Sequence, residues 1–178
     1  TELSGNKNLI KEGVAEDKIH FVGNVMIDTL LKHKKKAEES NVLNDLNEEY
    51  CLLTLHRPSN VDNKDDFDNI ISILENIQEK IKVIFPIHPR ALKNIEKFNL
   101  NEKVEKLNNL KLIDPLGYLD FLHLMSNAKL VLTDSGGIQE ETTVLGVPCI
   151  TLRNNTERPV TVDEGTNLLV STNKEKVI

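Results

Sequence analysis

Four short polar clusters in this chain each follow an apolar run, and each holds residue types that handle anions or protons. The first is Thr133-Asp134-Ser135-Gly136-Gly137-Ile138-Gln139-Glu140-Glu141. Free backbone N–H groups at a helix start attract anions, and glycine lets a phosphate come close. Ser135 adds a hydroxyl donor. Glu141, in the first turns of that helix, would repel a phosphate but suits the paired hydroxyls of a ribose. The same residues also fit a tight turn whose acids only complement the helix dipole, and the segment alone leaves both readings open.

The second cluster is Leu55-His56-Arg57-Pro58-Ser59-Asn60, and the third is Pro86-Ile87-His88-Pro89-Arg90. A His beside an Arg can contact a phosphate or move a proton; either His can equally be a loop residue bonded to backbone. The fourth is Thr156-Glu157-Arg158-Pro159. Pro159 suits the first position of a helix, which would set Arg158 at a helix start, ready for a phosphate or a carboxylate. An ordinary surface ion pair is the alternative. Phe121, upstream of the Ser-Gly-Gly turn, is either a stacking surface for a nucleobase or a core residue. His20, His33 and His123 show no partner pattern.

These clusters need a frame that gathers them. Apolar runs read as strands at Ile19 to Val22, Tyr50 to Leu55, Lys82 to Ile87, Leu110 to Ile113, Leu130 to Thr133, Cys149 to Leu152 and Leu168 to Val170. Helical spacing of apolar residues spans Asn24 to Lys36, Asp65 to Glu79, Ala91 to Phe98, Tyr118 to Ser126 and Ile138 to Leu145, the last stopped by Gly146 and Pro148. The run Tyr50 to Leu55 is apolar throughout, as expected of a strand buried on both faces of a parallel sheet. The fold class is therefore α/β: an open, mostly parallel sheet with helices on both faces. In such sheets ligands bind beyond the carboxyl ends of the strands, and all four clusters fall at such ends. Ion pairs at the surface have no reason to gather on one rim.

Composition narrows the classes of function. The 178 residues suit one domain, with 39% hydrophobic and 28% charged residues, the balance of a soluble globular protein. A net charge of −6 without a clustered basic face argues against nucleic acid as a partner; the run His33-Lys34-Lys35-Lys36 fits the complement of a helix end better than a nucleic-acid contact. No apolar run approaches the roughly 20 residues that cross a bilayer, so no membrane is expected, and no signal peptide is visible. Cys51 and Cys149 sit in apolar strands, as buried reduced thiols, which fits a cytoplasmic setting. No Cys/His spacing suggests a metal, and neither a Gly-x-Gly-x-x-Gly run nor a phosphate-binding Lys loop suggests NAD or ATP. No cofactor is expected.

Taken together, "TLHRPSNVDN", "FPIHPR", "DPLGYLDFLHLMSNAKLVLTDSGGIQEE", "LGVPCITLRNNTERP" and "EGTNLLV", in that order, resemble the UDP-N-acetylglucosamine 2-epimerase family, whose two-domain fold is called GT-B. The resemblance covers nearly the whole chain and implies the Rossmann-like C-terminal half of such a fold. Residues 1–23 resemble the tail of a first domain and the crossing to the second, and residues 24–178 the UDP-binding domain. It implies UDP-sugar as the substrate, with diphosphate on the Ser135-Gly136-Gly137 turn and at Arg158. Ribose then falls on Glu141, uracil beside Phe121, and His56 at the diphosphate in a catalytic role. Arg57 and His88 match residues that touch a second, regulatory UDP-N-acetylglucosamine in bacterial members. The implied reaction interconverts UDP-GlcNAc and UDP-ManNAc by elimination of UDP and re-addition, in a homodimer when full length, serving cell-surface polysaccharide biosynthesis.

The chain departs from the family's pattern at Arg57-Pro58-Ser59, where many members carry Arg-Arg-Glu, and at Leu116, where some carry a polar residue near the base. The acids that handle the C2 proton belong to the family's first domain, expected before Thr1, so the fragment itself is expected to be inactive. The family's last helix is expected after Ile178. Alternatives that the same rim would serve are a hydrolysing 2-epimerase, a GT-B glycosyltransferase and a non-catalytic UDP-sugar-binding module.

Overall fold

Strands that are apolar on both faces must be covered on both, and this governs the whole architecture. The computed structural model describes residues 2–177. Among these, β1 (Tyr50–Thr54), β2 (Lys82–Pro86), β3 (Leu110–Ile113), β4 (Leu130–Thr133), β5 (Cys149–Thr151) and β6 (Asn167–Leu169) form one sheet in the order β3-β2-β1-β4-β5-β6. Every pairing is parallel. Side chains alternate as the pleat requires. Cys51 and Leu53 enter a core with Phe67, Ile70 and Leu74. Tyr50 and Leu52 enter the opposite core with Leu30, Leu122 and Met125.

The first core is covered by α3 (Pro58–Val61), α4 (Lys64–Gln78), α5 (Pro89–Lys97), α6 (Asn101–Glu105) and α10 (Lys174–Val177), and the second by α2 (Val25–Ala37), α7 (Tyr118–Ser126) and α8 (Gly136–Leu145). Local chemistry fits these bounds. Asn63 Oδ1 accepts from the N–H of Asp65 at 2.8 Å and caps α4, with Asp65 and Asp66 on its positive end. Lys34, Lys35 and Lys36 occupy the last turn of α2, where their charges meet its negative end. Gly146 closes α8 in the left-handed conformation, at φ 72°.

Chain order places the site. From β1 the chain winds through β2 to β3 with its helices on the first face. After β3 it passes through α7 on the second face and returns as β4, on the other side of β1. The winding direction reverses between β1 and β4, and the loops leaving these two strands diverge to opposite faces. A crevice opens there, at the carboxyl ends.

Some elements differ from the sequence expectation. Ile19 to Val22 is extended but joins no sheet: the edge strands are β3 and β6, and Phe21 and Val22 are 54% and 75% exposed. The helices α1 (Leu3–Lys11), α3, α6 and α10 were not anticipated, because none buries a long enough apolar stripe to show a helical period. Pro159 precedes α9 (Val160–Asp163) as its cap instead of opening it. Cys51 and Cys149 are free and buried, as expected.

The turn from α9 into β6 packs on α8 at Gly165, where an added Cβ would stand 2.5 Å from the Thr161 carbonyl oxygen and 2.7 Å from Thr143 Oγ1. Backbone cannot yield cheaply there. Gly165→Ala is expected to destabilise the domain by about 1–3 kcal/mol, read as a lower urea midpoint with an unchanged slope.

Candidate functional site

Asp134, the first residue beyond β4, is fully buried. A carboxylate taken out of water must be surrounded by donors, and here every donor but one ring nitrogen is an amide. The backbone N–H of Arg57 donates to Oδ2 at 2.9 Å, that of His56 to both oxygens at 3.1 and 3.2 Å, and Asn60 Nδ2 to Oδ2 at 3.2 Å. His56 Nδ1 lies 2.9 Å from Oδ1. All these donors come from the short segment after β1, the loop residues His56 and Arg57 and Asn60 in α3, so one carboxylate ties that segment to the end of β4. This bond holds the His56 imidazole pKa above its ordinary value, against its partial burial and the charges of Arg57 and Arg90.

Ser135 is the N-cap of α8, yet its hydroxyl caps no amide. No acid occupies the first turn of α8, so the amides that open this ten-residue helix face the crevice with the positive end of its dipole. Neither Gly136 nor Gly137 has positive φ, which removes the tight-turn explanation for these glycines. Nor does protein packing demand them: an added Cβ at Gly136 would lie 3.6 Å from Glu157 Oε2, and one at Gly137 would lie 3.4 Å from Met26 Cε, both ordinary contacts.

Beside this helix start lies a cavity of about 270 Å³, lined by His56, His88, Pro115, Leu116, Phe121, Ser135 and Ile138 among others. Its lining combines the His56 imidazole and the Ser135 residue with the apolar Pro115, Leu116, Phe121 and Ile138. Phe121 is half-buried: it packs on the core and still presents a surface to the cavity. His88 Nδ1 accepts from the Arg90 N–H at 3.1 Å and caps α5, which leaves Nε2 as its outward nitrogen.

Glu141 sits one turn further along α8, buried, with Tyr118 Oη donating to Oε1 at 3.3 Å. Burial is the main cause raising its pKa; the Tyr118 bond opposes that shift and Glu140 adds to it.

The loop carrying Arg158 is set by a buried amide network. Gln139 Oε1 accepts from Thr156 Oγ1 at 2.6 Å and from Asn167 Nδ2 at 3.3 Å, while its Nε2 donates to the Ser135 carbonyl at 3.2 Å. Thr156 Oγ1 in turn accepts from the Arg158 N–H at 2.9 Å. Arg158 stands just before the cap of the four-residue α9, near a helix start as the sequence suggested, and its Nε also lies 2.9 Å from Glu140 Oε2, the ion pair that was the alternative. Arg153 holds Glu157 through two bonds of 2.8 and 2.7 Å, which pulls the Glu157 pKa down to about 2. Arg57 approaches the same Glu157 at 3.7 Å and lines a separate cavity of about 370 Å³ with Asn60, Arg153 and Thr172.

The structure therefore brings His56, His88, Phe121 and Ser135 to one cavity, with Gly136 and Gly137 on the adjoining helix start and Glu141 and Arg158 on its flanks. Arg57 and His88 line two different cavities. Sequence reasoning missed Asp134 as the tie between loops, Tyr118 as the partner of Glu141, and Gln139. The signal for Asp134 was present: a carboxylate that follows a buried strand must find several donors.

Strand order, parallel pairing and a helix start at the switch point define a Rossmann-like α/β domain. The family model of UDP-N-acetylglucosamine 2-epimerase matches residues 2–178. The chain belongs to the UDP-N-acetylglucosamine 2-epimerase family. It is 50% identical to the enzyme of that name from Methanocaldococcus jannaschii, over 100% of this chain and 50% of the relative. It is 36% identical to the one from Escherichia coli K12, over 100% of this chain and 49% of the relative. The structure of the Methanocaldococcus jannaschii enzyme in complex with UDP-GlcNAc and UDP superposes on 97% of this chain with a TM-score of 0.92, and 49% of that chain is covered. The chain thus spans about half the length of the curated relatives it matches, and its fold is the Rossmann-like half of a GT-B architecture. No helix among the described residues is long and apolar enough to cross a membrane.

An acid whose pKa is higher folded than unfolded contributes stability below its unfolded value and loses it as pH rises. Glu141 is such a group. Glu141→Gln keeps an acceptor for Tyr118 and removes the buried charge. It is expected to melt higher than the parent at pH 7, by roughly 2–4 °C if about 1 kcal/mol is relieved, with the difference closing below pH ~4. Calorimetric melts across that range are the check.

Proposed function

We propose that this domain binds UDP as the leaving-group half of a UDP-N-acetylglucosamine 2-epimerase. The observation that carries the reading is the meeting, at one switch point, of an acid-free helix start, a free Ser135 hydroxyl, the His56 imidazole and an aromatic-walled cavity. A likeness to a structure in complex with UDP-GlcNAc and UDP supports it. In this reading the diphosphate rests on the amides of Ser135, Gly136 and Gly137, with Arg158 and His56 balancing its charge. The ribose hydroxyls bond to the Glu141 carboxylate, and uracil stacks beside Phe121 against Leu116. Residues 24–178 form the UDP domain, and residues 1–23 belong to the crossing from a preceding domain. The exposed Phe21 and Val22 are consistent with cover from elsewhere in the protein.

The reaction is the interconversion of UDP-GlcNAc and UDP-ManNAc. A base takes the C2 proton, the C1–O bond breaks with its electron pair passing to the diphosphate, and UDP then adds back after the proton returns to the other face of C2. This chain's part is the second event. Fixed donors aimed at a departing diphosphate stabilise charge where it develops, without reorganisation. The acids that move the C2 proton are assigned to the preceding domain, so this half alone should not turn over. The full-length enzyme is taken to be a cytoplasmic homodimer, the compartment being one in which the buried thiols Cys51 and Cys149 stay reduced. Arg57 lines the cavity of about 370 Å³ and His88 that of about 270 Å³; contact with a second, regulatory UDP-N-acetylglucosamine is assigned to these two residues.

Calorimetric titration with UDP tests the reading. The parent should bind with one site per chain. Ser135→Ala and Glu141→Ala should each weaken binding by roughly tenfold, and Arg158→Ala by tenfold or more, because a hydrogen bond to a charged group is worth about 1.5–3 kcal/mol. Unchanged affinity in all three variants, or turnover of UDP-N-acetylglucosamine by this half alone, would overturn it.

A further inference from the structure

We propose that Asp134 is a positioning residue for His56: it occupies the imidazole Nδ1 and so commits Nε2 to the diphosphate. The inference rests on the UDP reading above and extends it to a residue that never touches substrate. Asp134 is fully buried at the carboxyl end of β4, and its Oδ1 lies 2.9 Å from His56 Nδ1. All its other partners are donors: the N–H groups of His56 and Arg57, and Asn60 Nδ2. A carboxylate oxygen set among donors serves as their acceptor, so the ring nitrogen 2.9 Å from it is the one that carries a proton.

The geometry separates the two nitrogens. The loop amides of His56 and Arg57 fix the backbone on the same carboxylate that holds the ring, so the imidazole has little freedom to turn about its side chain. The side chain is 47% exposed and lines the cavity that also contains Ser135 and His88. The groups facing the imidazole are Asp134 from β4, Arg57 from its own loop, and Arg90 and His88 from the start of α5; Asp134 alone favours the charged ring. With Nδ1 held, a protonated ring presents one further N–H, at Nε2, to an oxygen of the diphosphate. This is a hydrogen bond that strengthens as charge gathers there, and no atom is transferred by it.

The competing explanation is that Asp134 only ties loop to strand, with the imidazole a bystander. Long-range nitrogen–proton NMR of the parent chain distinguishes them. We expect Nδ1 protonated across the titration and Nε2 as the nitrogen that loses its proton, at a pH above that for free imidazole. UDP titrations from pH 6 to 9 should show affinity falling by about tenfold as His56 deprotonates, relative to His56→Asn, which keeps a donor for Asp134 and allows for titration of UDP itself. Asp134→Asn should invert the tautomer; if that variant does not fold, the parent spectra and His56→Asn still decide. Nδ1 found bare in the parent, or the same pH slope in parent and His56→Asn, would overturn the proposal. UDP failing to bind at any pH would instead overturn the functional reading, with the tautomer spectra still judging the role of Asp134.

Discussion

A carboxylate cannot be carried to the end of a buried strand without donors to receive it, and Asp134 draws them all from one short segment. Packing alone would leave the loops after β1 and β4 to separate, because the chain winds to opposite faces from those strands. The donors around Asp134 close that gap with four hydrogen bonds from three amide groups and a ring nitrogen. They set His56 beside the start of α8 and line up the Arg57 to Asn60 turn that leads into α4. Removing the carboxylate would take the acceptor from the His56 and Arg57 N–H groups at once and leave Asn60 Nδ2 only the Leu152 carbonyl, which is why so much of the crevice depends on one side chain.

The other flank is built on the same principle with neutral groups. Gln139, fully buried on α8, reaches Thr156 and Asn167 through one oxygen and the Ser135 carbonyl through its nitrogen. The Arg158 loop, β6 and the first turn of α8 are thereby held in one network, which is satisfied at each of these contacts and therefore rigid. Glu141 is different. Its charge is desolvated and only partly relieved by Tyr118, so the unliganded domain is less stable than its packing allows. A ligand hydroxyl that bonded to it would recover that loss, which is a common bargain between stability and function.

Much of the fold was readable from periodicity. The strand Tyr50 to Leu55 and the helix Asp65 to Glu79 announce themselves by continuous and 3.6-residue apolar patterns, and both form within a residue of the expected ends. Short helices such as α3 and α6 carry too few apolar positions to show a period, and Ile19 to Val22 has the composition of a strand but no neighbour with which to pair. At the crevice, the Ser-Gly-Gly turn and His56 were legible because their types sit at strand ends. The role of the glycines was not: their backbone angles, which are not the left-handed ones that require glycine, show only in the folded chain. Partnerships across the fold, Asp134 with His56 or Gln139 with Thr156, join residues 78 and 17 positions apart, and no local pattern encodes them.

The account stands on the crevice between β1 and β4 as a nucleoside diphosphate site, and amide chemical shifts of this chain during addition of UDP address it most directly. Saturable shifts should concentrate at Ser135, Gly136, Gly137 and Ile138, with His56 and Phe121 moving at the same concentration. Shifts confined to the cavity of Arg57, Arg153 and Thr172, or scattered without saturation, would contradict it.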